Sequence, residues 1–259
     1  MVKKWMSRLY LSIMFLFLYA PIAVLIVFSF NDSKSSGRWS GFSLRWYEEL
    51  FNDSKMQTAI FYTVIVAIVA TIIATIVGTF TSIGIYKLTK KTKAFVLNIN
   101  YLPVISPDIV LAVALMMLFK TVKLNFGFTT MLLAHIMFCI PYVVLSVLPR
   151  LYAMNPNMAE AAMDLGATPM QAIRKVVIPE IMPGIMAGAL MAFTMSIDDF
   201  VISYFTAGNG VTNLSIEVYS MAKRGIKPTV NALATIMVSL VLVSVLVSNK
   251  LSIKNKKGA

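Results

Sequence analysis

Long apolar runs separated by short polar stretches set the pattern of this chain. Six runs approach or exceed the roughly 20 mostly apolar residues that a helix needs to cross a bilayer. They are Leu9–Phe30, Gln57–Tyr86, Phe95–Phe119, Thr129–Pro149, Glu180–Phe205 and Thr229–Ser248. The pattern predicts an all-α polytopic membrane protein with six transmembrane helices and both termini on one side. The first run follows Lys3, Lys4 and Arg8, a start that a cleaved signal peptide would share. The run is longer than the about 7–15 apolar residues of a signal sequence, and no A-x-A site closes it, which favours an uncleaved anchor.

The longest polar interruption in the second half is Asn155–Pro183. Its start and stop signals predict two short helices. Asn155 is placed to N-cap the first, with Pro156 at the first helical position, where a missing N–H costs nothing. Gly166 ends it, because glycine takes the left-handed conformation of a helix C-cap. Thr168 caps the second helix, with Pro169 next and Gln171 placed to close a capping box. Pro179 and Pro183 punctuate the re-entry into apolar sequence.

Composition supports a single transmembrane domain over residues 1–259: 58% of positions are hydrophobic and 13% charged, where a soluble domain is about half apolar and a quarter charged. The net charge of +12 reads as topology and as attraction to anionic lipid headgroups, since no basic face survives on segments this apolar. Nucleic acid is therefore excluded as a partner.

Lysine and arginine counts orient the chain. One side carries Lys3, Lys4 and Arg8, then Lys87, Lys90, Lys91 and Lys93, then Arg150, Arg174 and Lys175, then Lys250, Lys254, Lys256 and Lys257. The other carries Lys34, Arg38, Arg45, Lys55, Lys120, Lys123, Lys223, Arg224 and Lys227. Fourteen against nine places the Asn155–Pro183 loop and both termini in the cytoplasm.

Several chemistries drop out. Cys139 has no second cysteine to pair with. His135 and Cys139, four residues apart in one apolar run, are too few for a structural zinc site and read as packing. No G-x-x-x-x-G-K-[ST] phosphate loop occurs, so any ATP is bound by another chain. No inverted repeat supports a stand-alone secondary transporter.

Three carboxylates lie well inside apolar runs: Asp108, Asp198 and Asp199. Ionisable groups there are costly and mark functional sites. No lysine or arginine lies at comparable depth, which points to a cationic substrate. In straight helices Asp108 stands about 20 Å and Asp198 about 22 Å from the cytoplasmic edge, so both share a height. Ser106-Pro107-Asp108 reads as a helix start within the third run, aiming N–H groups at Asp108; alternatively, Pro103 and Pro107 only kink it. Adjacent Asp198 and Asp199 lie about 100° apart on a helix and cannot point equally into one cavity. Ser196 offers a hydroxyl nearby, or simply packs. Trp46 and Tyr47 in the first outer loop suit either an aromatic belt or an outer receptor for an organic ammonium.

Glu160-Ala161-Ala162, three residues, Gly166, nine residues, then Val176-x-Ile178-Pro179 resembles the EAA signature of bacterial ABC importer permeases, with Val176 and Ile178 where the family usually has Ile and Leu. The resemblance implies the type I importer permease fold and a loop seated in a groove of a cytoplasmic ATPase. Glu160, Ala161, Ala162, Asp164 and Gly166 would then couple to that ATPase. Glu160 and Asp164 share a helix face, which is either solvated or paired with basic groups on the ATPase or with Arg174 and Lys175. Ser106-Pro107-Asp108-Ile109-Val110, Ser196-Ile197-Asp198-Asp199, Tyr219-Ser220-Met221 and Pro228-x-Val230-Asn231-Ala232-Leu233-Ala234-Thr235 are similar to the permeases of polyamine (spermidine/putrescine) importers, and the likeness covers nearly the whole chain.

What this implies is a membrane subunit of an ATP-driven polyamine importer in a bacterial cell membrane. Its partners would be a homologous second permease, two ATPase subunits and an extracytoplasmic polyamine-binding protein. No cofactor sits in this chain; ATP and Mg are bound by the ATPases. Asp108, Asp198, Asp199, Ser196, Trp46 and Tyr47 are the expected substrate contacts. The alternatives are a permease for another small solute, or an ion-coupled carrier or channel, for which the capped cytoplasmic loop would be idle. An enzyme is disfavoured, since no nucleophile–base or metal-ligand cluster is present.

Overall fold

The computed structural model describes residues 2–34, 38–224 and 228–239. The helices are α1 (Val2–Ser29), α2 (Arg45–Asn52), α3 (Ser54–Lys87), α4 (Lys90–Ile105), α5 (Asp108–Thr121), α6 (Phe128–Ala153), α7 (Met158–Asp164), α8 (Pro169–Ala172), α9 (Ile178–Asp198), α10 (Val201–Thr206) and α11 (Leu214–Arg224). A last apolar helix, α12, covers Thr229–Ser239. Among the described residues there is no strand, only an isolated antiparallel bridge between Asn31 and Phe42.

Among the described residues, four stretches are long and apolar enough to span a membrane: Trp5–Ser29, Ser54–Lys87, Phe128–Ala153 and Pro169–Asp198. A fifth is reached if α4 and α5 count as one broken span. The expected sixth, Thr229–Ser248, is seen only to Ser239; residues 240–248 lie outside the described residues, as do Lys227, Lys250, Lys254, Lys256 and Lys257 of the charge count.

Two expectations, the unbroken fifth run and the start of α7, need correcting. The helix start read at Ser106-Pro107-Asp108 is present, and α4 and α5 meet at 108° across Ser106–Pro107. Pro107 lacks an N–H and crowds the helical conformation of the residue before it. Pro107 itself occupies the N-cap position of α5, with no side-chain cap bond. The fifth run is also broken, with Asp199 and Phe200 between α9 and α10. Finally, α7 begins at Met158, not just after Asn155; the Asn155 side chain instead accepts the Asn157 N–H at 3.0 Å in a turn that precedes the helix.

The second half of the loop follows its local signals and then departs from them. Thr168 accepts the Gln171 N–H while the Gln171 side chain accepts the Thr168 N–H, a complete capping box with Pro169 at the first helical position. This helix does not stop. It runs through a π-helical turn at Ile173–Val177 into α9, so Pro179 and Pro183 lie inside it. Pro179 cannot bond the Lys175 carbonyl and its ring would strike it; the widened π turn absorbs that conflict.

The chain divides into two units, Met1–Gln57 with Val218–Ala259, and Thr58–Glu217. In the second unit α6 is the centre: 56% of its apolar window is buried, against 28% for each of Ser54–Lys87 and Pro169–Asp198. Ile181, Gly184, Gly188, Ala192 and Ser196 form the buried stripe of α9. A Cβ on Gly188 would lie 3.1 Å from Val143 Cα of α6. Small residues thus let α6 and α9 approach closely, the usual basis of helix association where lipid is as apolar as the side chains.

Polar contacts gather the ends of this unit. At one end Lys93 Nζ donates to the Tyr86 carbonyl at 3.0 Å and lies 5.2 Å from the Tyr152 ring centre, tying α3, α4 and α6. At the other, the Leu214 N–H donates to Thr63 Oγ1 at 2.8 Å and Thr130 Oγ1 donates to the Thr206 carbonyl at 2.7 Å.

Candidate functional site

Both helix breaks of the second unit open onto one cleft of about 300 Å³. Asp108, Asp198 and Asp199 all line it, with Phe138 and Tyr142 from α6 and Phe200 from the second break. Among the described residues, no lysine or arginine lines it. The straight-helix depth comparison does not hold past the 108° bend, yet the breaks bring the three carboxylates together.

Their surroundings differ. Asp108 is exposed in the first turn of α5, at the positive end of the helix dipole. Asp198 is the exposed last residue of α9. There the carboxylate adds to the negative end of a helix, an arrangement that attracts a cation. Neither carboxylate has a hydrogen-bond partner among the described residues. Asp199 is nearly buried and engaged through both oxygens: Oδ1 accepts the Ile202 N–H at 3.2 Å, and Oδ2 accepts the Ser203 N–H at 2.7 Å and the Ser203 hydroxyl at 2.8 Å.

Ser196 does not line the cleft. It is 2% exposed and its hydroxyl meets His135 Nδ1 at 2.7 Å. Two residues before Asp198 on a helix is about 200° of rotation, so it faces away. Trp46 and Tyr47 are engaged within the first unit. Trp46 is buried, its indole N–H donates to the Asn31 carbonyl at 2.6 Å, and Arg45 stacks 5.1 Å from its ring centre. The Tyr47 hydroxyl pairs with the Ser29 hydroxyl at 2.8 Å.

Sequence reasoning missed Phe138 and Tyr142. They are four apart and so share the cleft-facing side of α6, a signal that was readable. It also read His135 as packing, whereas His135 bonds both Ser196 and Ser203.

The loop forms a second feature. Gly166, at φ +89°, closes α7 with paired bonds from the Gly166 N–H to the Met163 carbonyl at 2.9 Å and from the Ala167 N–H to the Ala162 carbonyl at 3.1 Å. That is the Schellman geometry, which a residue with a Cβ adopts only under strain. Met158 and Ala159 pack on the core, leaving Glu160, Ala161 and Asp164 exposed and Ala162 half-buried. Among the described residues, no ion pair joins Glu160 or Asp164 to Arg174 or Lys175. Leu165 is 91% exposed beside them, with Met163 and Met170 also exposed.

Residues 74–255 match the family described as binding-protein-dependent transport system inner membrane component. The chain belongs to this family. It is 39% identical over 255 residues to the spermidine/putrescine transport system permease protein PotC of Haemophilus influenzae, covering 98% of this chain and 99% of that one. Against PotC of Escherichia coli K12 the identity is 37% over 258 residues, covering 100% and 98%. The putrescine transport system permease protein PotI of the same strain is 37% identical over 235 residues, covering 88% and 83%. In fold, the chain resembles a bacterial ABC transporter that imports the acidic polysaccharide alginate, with a TM-score of 0.71 at 18% identity over 97% of this chain and 96% of that one. The fold is thus one shared with solved bacterial ABC transporters.

Proposed function

We propose that this chain is one membrane-spanning permease subunit of an ATP-driven polyamine importer. The observation that carries this is the cleft: three carboxylates, aromatic faces and, among the described residues, no basic group. Such a lining suits a flexible organic polycation, whose ammonium groups meet carboxylates and aromatic faces while its methylenes need only apolar wall. An anion would find no counter-charge there. Relatives named for spermidine/putrescine and putrescine transport support the same substrate class.

The chain crosses the membrane six times, with the broken α4–α5 pair as one span and Thr229–Ser248 as the last. Both termini and the 155–183 loop are cytoplasmic. The clustering of Tyr86, Lys93 and Tyr152 at one end supports a common side for the second polar loop and the helical loop. A second, homologous permease completes the path, two ATPases bind ATP and Mg, and a binding protein delivers polyamine from outside. The exposed Leu165, between Asp164 and Gly166, supports the ATPase contact, since a large apolar side chain at a rigid turn suits a docking groove. The cycle then follows. Polyamine enters the cleft, Asp108 and Asp198 replace part of its hydration, and motion passed through α7 to the α8–α9 run shifts the lining.

Uptake of labelled spermidine and putrescine into vesicles holding the full complex tests this reading. ATP-dependent accumulation is expected; uptake that persists without the ATPases overturns it.

A further inference from the structure

The buried network behind the cleft is closed on itself. His135 (1% exposed), Ser196 (2%), Ser203 (0%) and Asn213 (2%) are all interior. The Ser203 hydroxyl donates to Asp199 Oδ2, so its one hydrogen is committed. Ser203 Oγ therefore accepts from Asn213 Nδ2 at 2.7 Å and from His135 Nε2 at 2.8 Å. That order places a hydrogen on His135 Nε2 and leaves Nδ1 to accept from Ser196. The same Asn213 amide donates to the Asp199 carbonyl at 3.0 Å, and its Oδ1 accepts the Ile216 N–H at 2.9 Å. Every polar atom has a partner of the correct sense, the condition under which such a network rigidifies its surroundings.

A carboxylate offers about four acceptor sites. Asp199 uses three of them within the protein, and His135 Nε2 lies 3.5 Å from Oδ2. Asp198, next in line and exposed to the cleft, uses none among the described residues. No proline or glycine occupies positions 198–201 to break the helix. What holds the break is the carboxylate of Asp199, folded back onto the first turn of α10.

We propose that His135 is a positioning residue for transport. Through Ser203 it locks Asp199, and locked Asp199 holds the α9–α10 break that turns Asp198 into the cleft. Asp198 and Asp108 are then the substrate ligands, and Asp199 is their support. This rests on the reading of the cleft as the cation path.

The test uses the assembled transporter in vesicles, with two readouts. The first is the KM and maximal rate of spermidine uptake in His135→Gln, His135→Asn and Ser203→Ala. The Gln amide nitrogen reaches the place of Nε2 and can donate to Ser203; the shorter Asn amide reaches only the place of Nδ1. The second readout is the rate at which a quaternary-ammonium methanethiosulfonate labels the thiol of Asp198→Cys, alone and combined with each variant. Cys139, fully buried, stays silent.

His135→Asn and Ser203→Ala are expected to raise KM roughly fivefold or more and to change the labelling rate by a similar factor, the scale of one buried hydrogen bond. His135→Gln is expected to stay within about twofold on both, because the donated bond survives. Unchanged KM and labelling in His135→Asn and Ser203→Ala, at normal assembly, overturns the proposal. So does an equal loss of maximal rate in Gln and Asn with KM untouched, the signature of packing alone. If His135→Asn fails to assemble, Ser203→Ala decides. If labelling responds as expected but Asp198→Asn leaves KM unchanged, the cleft is not the cation path. In that case the transport role of His135 falls with it, although the lock itself stands.

Discussion

Gly184 of α9 lies against Ser146 of α6 so closely that a Cβ there would sit 2.9 Å from the Ser146 carbonyl oxygen. It would also sit 2.7 Å from Arg150 Cγ. The long side chain can swing away, but the carbonyl is held by the α6 backbone. The helices must therefore part to admit a methyl group. Gly184→Ala is expected to destabilise the permease by about 1–3 kcal/mol, and Gly184→Leu by more. Thermal unfolding of the detergent-solubilised complex measures both. An unchanged midpoint for the leucine variant would show that α6 and α9 are not packed this tightly.

The two cleft carboxylates without a partner among the described residues, Asp108 and Asp198, carry a different prediction. Asp108→Asn and Asp198→Asn keep shape and remove charge. Each is expected to raise the KM for spermidine about tenfold or more, the scale of one lost charge-assisted bond. The maximal ATPase rate of the unloaded complex should change little. Uptake kinetics in vesicles check this, and normal KM in both variants removes the cleft from the path.

Leu165 separates folding from coupling. At 91% exposure, Leu165→Asp leaves the permease's own stability within about 0.5 kcal/mol, as surface substitutions do. The same change is expected to weaken copurification of the ATPase subunits and to abolish uptake. Full retention of the ATPase would show that the exposed leucine is not a docking contact.

The loop turn depends on backbone geometry. Gly166 at φ +89° tolerates a side chain only with strain, so Gly166→Ala costs about 1 kcal/mol locally. Thr168→Ala removes the cap from the Gln171 N–H at a similar cost of about 1 kcal/mol. Hydrogen exchange of the amides from Gly166 to Ala172 should quicken in both variants, while exchange in α6 stays slow. Unaltered exchange in the loop would contradict the capped geometry.

Membrane segments and loop caps are the parts of this protein that were legible without a structure. Hydropathy alone located Trp5–Ser29, Ser54–Lys87 and Phe128–Ala153 to within several residues, because a helix that crosses a bilayer must be long and apolar. The Thr168–Gln171 box and the Gly166 stop were equally readable. Such bonds join residues three to five apart, so local sequence specifies them. The Ser106–Pro107 break belongs to the same class, because proline acts on its immediate neighbours.

The tertiary structure decided the rest. The break at Asp199–Phe200 carries no proline or glycine; the Asp199 carboxylate caps α10 through Ile202 and Ser203, and His135 and Asn213 meet the Ser203 hydroxyl behind it. His135 lies 61 residues from Ser196 and 68 from Ser203, separations with no periodicity to betray them. Asp199 is bound by donors only three and four residues ahead, Ile202 and Ser203, but the His135 and Asn213 groups that fix the Ser203 hydroxyl come from distant parts of the chain. Helical rise and rotation limit what one segment can present. Only the packing of α6 against α9 and α10 determines which polar atoms meet inside a bilayer, where each must find its partner in the protein.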